Sequence, residues 1–414
     1  MRLRLWAAPI AVMTALMALL GTLYLAYVVN PEENLHGFPV LLVNSDEGDT
    51  VGGRYTNAGK LLTEGLLAGI PADKVDVEVV GLPEVDRELA LGRSYGALII
   101  PSDFSKRLSN LGIAGVVAGD VEKPIITVRT NPRAGSIANQ IMLRIADQAL
   151  AVANTSVGGQ LTQQVQAQLG PKGPPLSGAA RLALAAPVHT VVAPYNPLPD
   201  GSGEGLSAFF YTLLLLLAGF TGAMTVHTMT DSALGFIPTE YGPWYVHFPK
   251  TPHSRLQTLL VKWGIMTIAG FIVSAVYLVA GRLLGMPIER PVVLWLYGAF
   301  AIIAVGVTAL SVLAALGTAG MLVNLIVFIV LGLPSCGGTV PIEAVPRYIG
   351  WLARFEPMHQ VYLAIRGILY FGAHGEAGLL RGFWMTAFGL AVGLTIGAVI
   401  TRYYDHKGLH RSPA

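Results

Sequence analysis

The run VVLWLYGAFAIIAVGVTALSVLAALGTAGMLVNLIVFIVLGL at residues 292–333 contains no charged side chain and is too long for one helical crossing of a bilayer. A hydrocarbon core of about 30 Å takes about 20 apolar helical residues, because no water is present at that depth to satisfy bare backbone groups. Gly317, Thr318 and Gly320 interrupt the run near its middle, so it reads as two spans joined by a tight turn. Outward from it, further apolar stretches occupy Trp6–Val28, Leu206–Val226, Trp263–Ala280 and Phe383–Ile400, which predicts six crossings with both termini on one side. The composition agrees. Only 13% of the 414 residues are charged and 53% are hydrophobic, whereas soluble domains average about 25% charged. This disfavours a soluble enzyme, a nucleic-acid binder and a disordered chain.

Trp6–Val28 could be read as a secretory signal with Arg2 and Arg4 as its positive region, but such signals have an apolar part of about 7–15 residues and a small-x-small cleavage site. Here the stretch is longer and ends in Leu-Ala-Tyr-Val-Val-Asn-Pro, so an uncleaved anchor is expected over residues 1–29. Lys and Arg resist translocation in short flanks. The terminal side carries Arg2, Arg4, Lys250, Arg255, Arg402, Lys407 and Arg411, and the opposite short segments carry Arg282, Arg290, Arg347, Arg354, Arg366 and Arg381 with more acidic company. The expected placement is therefore a multi-pass protein of the cell membrane with cytoplasmic termini and residues 30–205 outside.

That insert is the second part of the chain. Residues 31–206 hold 13 Lys/Arg against 18 Asp/Glu and read as an α/β domain. Strands are expected at Phe38–Val43, Val75–Val80, Ala97–Pro101 and Ile125–Arg129. Helices are expected at Asn57–Ala68, where Ala58, Leu62 and Leu66 recur on one face, at Glu84–Leu91, and at Asp103–Leu108 behind a Ser102 or Asp103 cap. A long helix from Ser136 to about Gln168 carries a candidate interruption at Gly158 and Gly159. Pro171, Pro174, Pro175, Pro197, Pro199 and the glycines of 201–205 suggest a return linker. Asn44, Asp46, Glu47 and Asp49 follow the first strand, where they either close an Asx-type turn or bind a cation; the calcium-loop spacing is absent, and no metal or cofactor is assigned. A single cysteine, Cys336, excludes an intrachain disulfide.

In the remaining chain, 206–414, a five-helix membrane domain is expected, with a helical hairpin at 341–372 before the last span. Two amphipathic pieces there are divided at Glu356-Pro357, each of about 10–14 residues and so reaching roughly half the bilayer at about 1.5 Å per residue. They either dip into the membrane or lie flat on its outer surface. Trp351, Glu356, Pro357 and Arg366 are its candidate functional residues. Lys262 and Arg282 sit at span ends, where they can snorkel, and His227 with Asp231 reads as a solvated cap, so proton coupling through mid-span groups is not expected. Asn324 is the strongly polar residue deep in the fifth span, suited to an interhelical hydrogen bond or to cargo. Gly389, Gly393 and Gly397 form a stripe on the last span that admits another helix, from the same chain or a second copy, and Gly219 and Gly222 are weaker hints of the same kind. Nine scattered histidines form no His-Glu-x-x-His, and no catalytic activity is expected.

A Pro, a Trp-Leu-containing helix, Glu-Pro and a second helix with Arg-Gly resemble the outward hairpin of permeases of the type-2 ABC exporter superfamily. The large insert, with Val-Asn-Ser-Asp-Glu-Gly at 43–48 and Gly-Ala-Leu-Ile-Ile-Pro-Ser-Asp-Phe-Ser at 96–105, is similar to the ectodomain of its YhgE/Pip-like branch. The resemblance implies a dimeric permease that moves an amphipathic or envelope-associated molecule outward. Its motor would be a separate ATPase, since no Gly-x-x-x-x-Gly-Lys-Ser/Thr loop is present. The candidate coupling loop is 228–257, with Tyr241, Trp244, Tyr245 and Phe248, residue types that also anchor at membrane interfaces. Such exporters usually begin with an amphipathic helix, whereas only Met1–Leu5 precede the first span here. An envelope scaffold or surface-binding protein, like a phage-infection protein, is the alternative.

Overall fold

The computed structural model describes residues 2–51, 54–114, 122–170 and 176–409. The chain divides into two compact units, one of residues 1–30 with 199–414 and the other of residues 31–198. Pro171, Pro174, Pro175 and Arg411 lie outside the described residues.

The chain enters through α1 (Arg2–Val28), whose Trp6–Val28 part is one of five helices long and apolar enough to cross a membrane. The second unit then begins with β1 (Phe38–Asn44), the short hairpin β2 (Asp49–Val51) and β3 (Arg54–Thr56), α2 (Ala58–Gly69), β4 (Val75–Val79), α3 (Leu82–Ala90), β5 (Gly96–Ile100), α4 (Phe104–Ala114) and β6 (Ile125–Thr130). It closes with α5 (Ser136–Leu169), α6 (Gly178–Ala185) and β7 (His189–Pro194). The sheet order is β4-β1-β5-β6-β7, parallel except between β5 and β6. Side chains alternate across it. Leu41, Val43, Ala97 and Ile99 meet Val85 and Leu89 of α3 on one face, while α2 and α5 pack on each other and against strands on the other, sealed by Leu62, Leu66 and Met142.

The acidic turn after β1 is the Asx-type turn. Asn44 Oδ1 accepts from the Asp46 amide at 3.1 Å, and the Asp46 carboxylate accepts from Gly59 N (2.9 Å), Ser105 N (2.9 Å) and Ser105 Oγ (2.5 Å). Asp46 thus stabilises the amide-rich first turns of α2 and α4, as a carboxylate at a helix N-terminus does.

Two expectations for this domain are corrected. Residues 170–205 are not a plain linker: α6 forms behind the Ser177 cap, and β7 pairs with β6 from Ile125↔His189 to Thr130↔Pro194. Its proline is tolerated because β7 is an edge strand and Pro194 ends it. Likewise α5 runs unbroken through Gly158. A Cβ at Gly158 would lie 2.7 Å from the carbonyl oxygens of Leu184 and Ala185, so the missing side chain lets α6 approach rather than stopping the helix. Other differences are smaller: α4 extends to Ala114, beyond the expected Leu108.

In the first unit α7 (Leu206–Ala233) leads into a β-hairpin, β8 (Thr239–Tyr241) and β9 (Trp244–Val246), and then α8 (Arg255–Leu283) and α9 (Pro291–Leu316). The break at Gly317–Thr318 falls where the sequence places it. The next segment is shorter than an ordinary span: α10 (Ala319–Leu325), a π-helical turn at Ile326–Val330 and α11 (Gly332–Ser335) make up an apolar stretch, Ala319–Ser335. Then come α12 (Arg347–Ala353), α13 (Pro357–Tyr370) and α14 (Leu379–His406). Five long apolar helices are therefore present among the described residues, α1, α7, α8, α9 and α14, rather than the expected six.

Helix α9 is central, packed against α7, α8 and α14. At one end of this bundle Asp405 of α14 accepts from the Arg255 and Leu256 amides at 2.8 and 3.0 Å, adding to the Ser254–Gln257 capping box of α8. At the other end Tyr370 of α13 meets Ser207 of α7 at 2.6 Å.

The glycine stripe of α14 divides in two. At Gly393 a Cβ would lie 2.8 Å from Thr308 Cα, and at Gly397 it would lie 2.6 Å from Ser311 Oγ, so both sit on α9 of the same chain. Gly389 has open space where a side chain would be. Gly393→Leu is expected to destabilise the bundle by about 1–3 kcal/mol through overpacking, and Gly389→Leu to leave it near wild type. Thermal unfolding of the two variants in detergent compares them directly, and equal melting temperatures would refute the packing difference. Gly219 plays the same part on α7, with Val305 of α9 against it.

Candidate functional site

The hairpin before α14 is built around one side chain. Glu356 caps α13, its Oε2 accepting from Met358 N at 2.6 Å and His359 N at 3.2 Å, with Pro357 in the first turn where its missing N–H is no loss. The other end of the break is closed by Gln360, whose Nε2 donates to the Ala353 and Arg354 carbonyls at 3.1 and 3.0 Å, satisfying the end of α12. His359 Nδ1 lies 2.8 Å from the Cys336 carbonyl, which can only accept, so this nitrogen carries the proton. Burial raises the Glu356 carboxyl to about 8, against the two backbone N–H bonds that favour its charged form. Burial also lowers the His359 imidazole to about 4, helped by the charges of Arg381 and Arg366.

The two helices face different surroundings. α13 is buried along most of its length, whereas α12 buries Ile349 and Ala353 and exposes Tyr348 and Trp351, as does the turn after it with Phe355. Trp351 and Phe355 meet edge to face at 5.4 Å. Arg366 lies over the Tyr362 and Phe371 rings at 5.7 and 5.6 Å, a cation–π arrangement. At about 1.5 Å per residue α13 measures about 21 Å, less than the roughly 30 Å of a hydrocarbon core.

Beside the hairpin a cavity of about 210 Å³ lies between α9, the π-helical turn, α13 and α14. Phe328, Phe355, Phe388 and Val392 form its apolar walls, Gly389 opens onto it, and Thr308, Gln360 and Thr386 are its polar members. The sequence alone did not single out Gln360. Its signal was an amide on a helical face otherwise lined by Val361, Ala364 and Ile368.

At the opposite end of the bundle lies a cluster that corrects the reading of His227, Asp231 and Lys262. Lys262 Nζ is 2.6 Å from Asp231 Oδ1, with both side chains almost wholly buried (3% and 4% exposed), and His227 joins them at 3.1 Å from Lys262 Nζ and 3.3 Å from Asp231 Oδ2. Lys262 does not snorkel and Asp231 is no solvated cap. Two turns into α8, the ammonium is drawn inward by the carboxylate of α7. Asn324 takes the structural role: its Nδ2 donates to the Ala309 carbonyl of α9 at 3.0 Å, holding the helices on either side of the Gly317 break together.

The aromatic loop after α7 is the β8–β9 hairpin, with Thr239↔Val246 and Tyr241↔Trp244 paired across Gly242-Pro243. Tyr241, Trp244, Tyr245 and Phe248 are all exposed. Four large aromatics on so short a segment make an apolar surface of the kind that marks a partner or a membrane interface.

A family model described as a protein of unknown function, DUF3533, matches residues 9–389. No curated protein and no solved structure matches the chain.

Proposed function

The chain belongs to the DUF3533 family, whose function is unknown, and we propose from its own residues that it is the permease-like subunit of an exporter resembling the type-2 ABC class. It moves an amphipathic or envelope-associated molecule outward through the cell membrane, with a separate ATPase as motor. In this reading Ala319–Ser335 is a short sixth crossing, both termini are cytoplasmic, and residues 31–198 stand outside. The bias of Lys and Arg towards the terminal flanks supports that orientation.

The carrying observation is the broken helix pair α12–α13 beside a lateral apolar cavity: a structure too short to cross, capped at its break, next to space that opens among the bundle helices. Irregular backbone at membrane depth persists where protein covers it or a cavity receives it. The exposed aromatic hairpin supplies a second argument, because its position between α7 and α8 offers a motor a cytoplasmic grip in this orientation. Alanine at Trp244, Tyr245 and Phe248 together is expected to abolish co-purification with the ATPase and to leave folding intact, since these side chains cover no core. Retention of the ATPase by the triple variant would reject the coupling assignment.

A further inference from the structure

In the cluster near the end of α7 the hydrogen bonds fix where the protons are. An ammonium only donates, so the His227 Nδ1 that lies 3.1 Å from Lys262 Nζ is an acceptor and carries no proton. The imidazole is therefore neutral, with its proton on Nε2, which faces Asp231 Oδ2 at 3.3 Å. Lys262 Nζ closes the triangle with Asp231 Oδ1 at 2.6 Å. His227 is the member that water reaches, its side chain 23% exposed against 3% for Lys262 and 4% for Asp231. A second proton on the ring has only Nδ1 to occupy, where it would point at the ammonium. Two cations about 3 Å apart repel, and Lys262 would lose an acceptor in a place without water. The other elements packed on α7 do little to offset this. Between Tyr297 and Leu316 α9 holds no ionisable residue, and α13, with His359 and Arg366, meets α7 at its opposite end through Tyr370. Arg255 of α8 lines the same small void as Lys262 but is held by the Leu409 carbonyl and the Tyr404 ring, and Asp405 is taken up by the first amides of α8. Glu240, His247, Lys250 and His253 of the following loop are exposed. The turn beyond this cluster is also the root of the β8–β9 hairpin. The Asp231 carbonyl accepts from Phe236 N at 2.8 Å, the Leu234 carbonyl accepts from Thr251 N and Thr251 Oγ1 at 3.2 Å each, and the Ser232 hydroxyl meets that of Thr239.

We propose that His227 is a proton-operated latch on the β8–β9 hairpin: neutral, it bridges Lys262 and Asp231 and holds the end of α7 to α8, and on taking up a proton it expels Lys262 and loosens the hairpin's root. Asp231 transmits the change, because its carboxylate belongs to the cluster and its carbonyl to the turn that opens the hairpin. A released imidazole accepts a proton across the ordinary histidine range, whereas the latched one has its free nitrogen occupied by Lys262. Acidification therefore favours release and higher pH favours the latch. The use of the hairpin by a motor rests on the permease reading; the latch itself does not.

The test uses the full chain in nanodiscs. A spin label at Glu240→Cys reports the hairpin, since Cys336 is buried and stays unlabelled. The ratio of mobile to immobile label is expected to rise about tenfold from about pH 7.5 to about pH 5.5, within the limit of about tenfold per pH unit for one linked proton. Nitrogen-15 histidine spectra, with His227 assigned by its loss in His227→Gln, should show the proton on Nε2 at about pH 8, a tautomer that a merely structural imidazole need not adopt. His227→Gln keeps a neutral donor and acceptor and should hold the label immobile throughout. His247→Gln with His253→Gln, both in the exposed loop, should keep the wild-type response. A wild-type ratio that does not change, a response that survives His227→Gln or disappears in the loop double variant, or a proton on Nδ1 at about pH 8 overturns the proposal. Should His227→Gln unfold, the loop double variant and the wild-type tautomer still decide. Capture of an ATPase is scored separately: a pH-released hairpin on a chain that captures none keeps the latch and rejects the coupling, and capture by a chain whose hairpin ignores pH does the reverse.

Discussion

Lys262→Met is expected to destabilise the membrane unit by about 3–5 kcal/mol, the usual result of stripping one partner from a buried ion pair. The cost comes from what is left behind. Asp231 would keep a carboxylate almost fully out of water, with His227 still beside it at 3.3 Å. Removing both charges is a different matter, since an apolar pair of similar volume often matches or exceeds a buried salt bridge. The double variant Lys262→Met with Asp231→Leu should therefore recover most of the loss. Thermal unfolding in detergent across the single and double variants measures this coupling. A single variant that melts with the wild type would mean that water reaches the pair.

The second large effect is a pH dependence centred on the hairpin. With its folded carboxyl raised to about 8 by burial, Glu356 binds a proton in the native state that the unfolded chain releases above its ordinary value near 4.5. Its contribution to stability is present at low pH and is lost as pH rises towards and through 8. His359 acts in the opposite direction. Its imidazole, lowered to about 4, is neutral when folded and charged when unfolded up to about 6.5, so stability rises with pH over that lower window. The two slopes oppose each other below about 6.5, and between there and 8 Glu356 acts alone, with at most about 1.4 kcal/mol lost per pH unit. Arg366, Arg381 and Cys336 are the other ionisable groups that act on this pair. The melting temperature should fall from pH 6.5 to 8 in the wild type and flatten in Glu356→Gln. Glu356→Ala, which also loses the cap on two buried amides, should lie lower at every pH by about 1–2 kcal/mol. A wild-type melting temperature that does not change across this window would refute this account of Glu356.

Most of the architecture was legible because it follows from periodicity and from the absence of charge. Four strands and three helices of the α/β domain lie within a few residues of where alternation and i, i+4 spacing put them, the helix expected at Asp103–Leu108 runs on to Ala114, and the Gly317 break and the Glu356-Pro357 division appear at the expected residues. The features that escaped depend on the third dimension. Strand β7 has a proline at its end and mostly exposed side chains, so it announces itself only through pairing with β6. Gly158 looked like a helix stop because sequence shows a missing side chain and not the neighbouring helix that requires it. Asp231 and Lys262 are 31 positions apart, and each alone resembles a boundary residue; only the packing of α7 on α8 makes them a buried pair. Gln360 was hidden for the same reason, since its importance lies in which of its atoms already has partners.

The π-helical turn leaves the Ile329 carbonyl to be met by the Tyr24 hydroxyl of α1 at 3.2 Å, and it sits within an apolar stretch of only Ala319–Ser335. As a crossing, such a stretch measures about 25 Å at 1.5 Å per residue, several ångströms short of the lipid tails around it. Hydrophobic mismatch of this size is relieved by thinning the bilayer locally, at a fraction of a kcal/mol per ångström. The thinnest membrane around the protein would then lie against the π-helical turn, where a polar headgroup has the shortest distance to travel from one leaflet to the other.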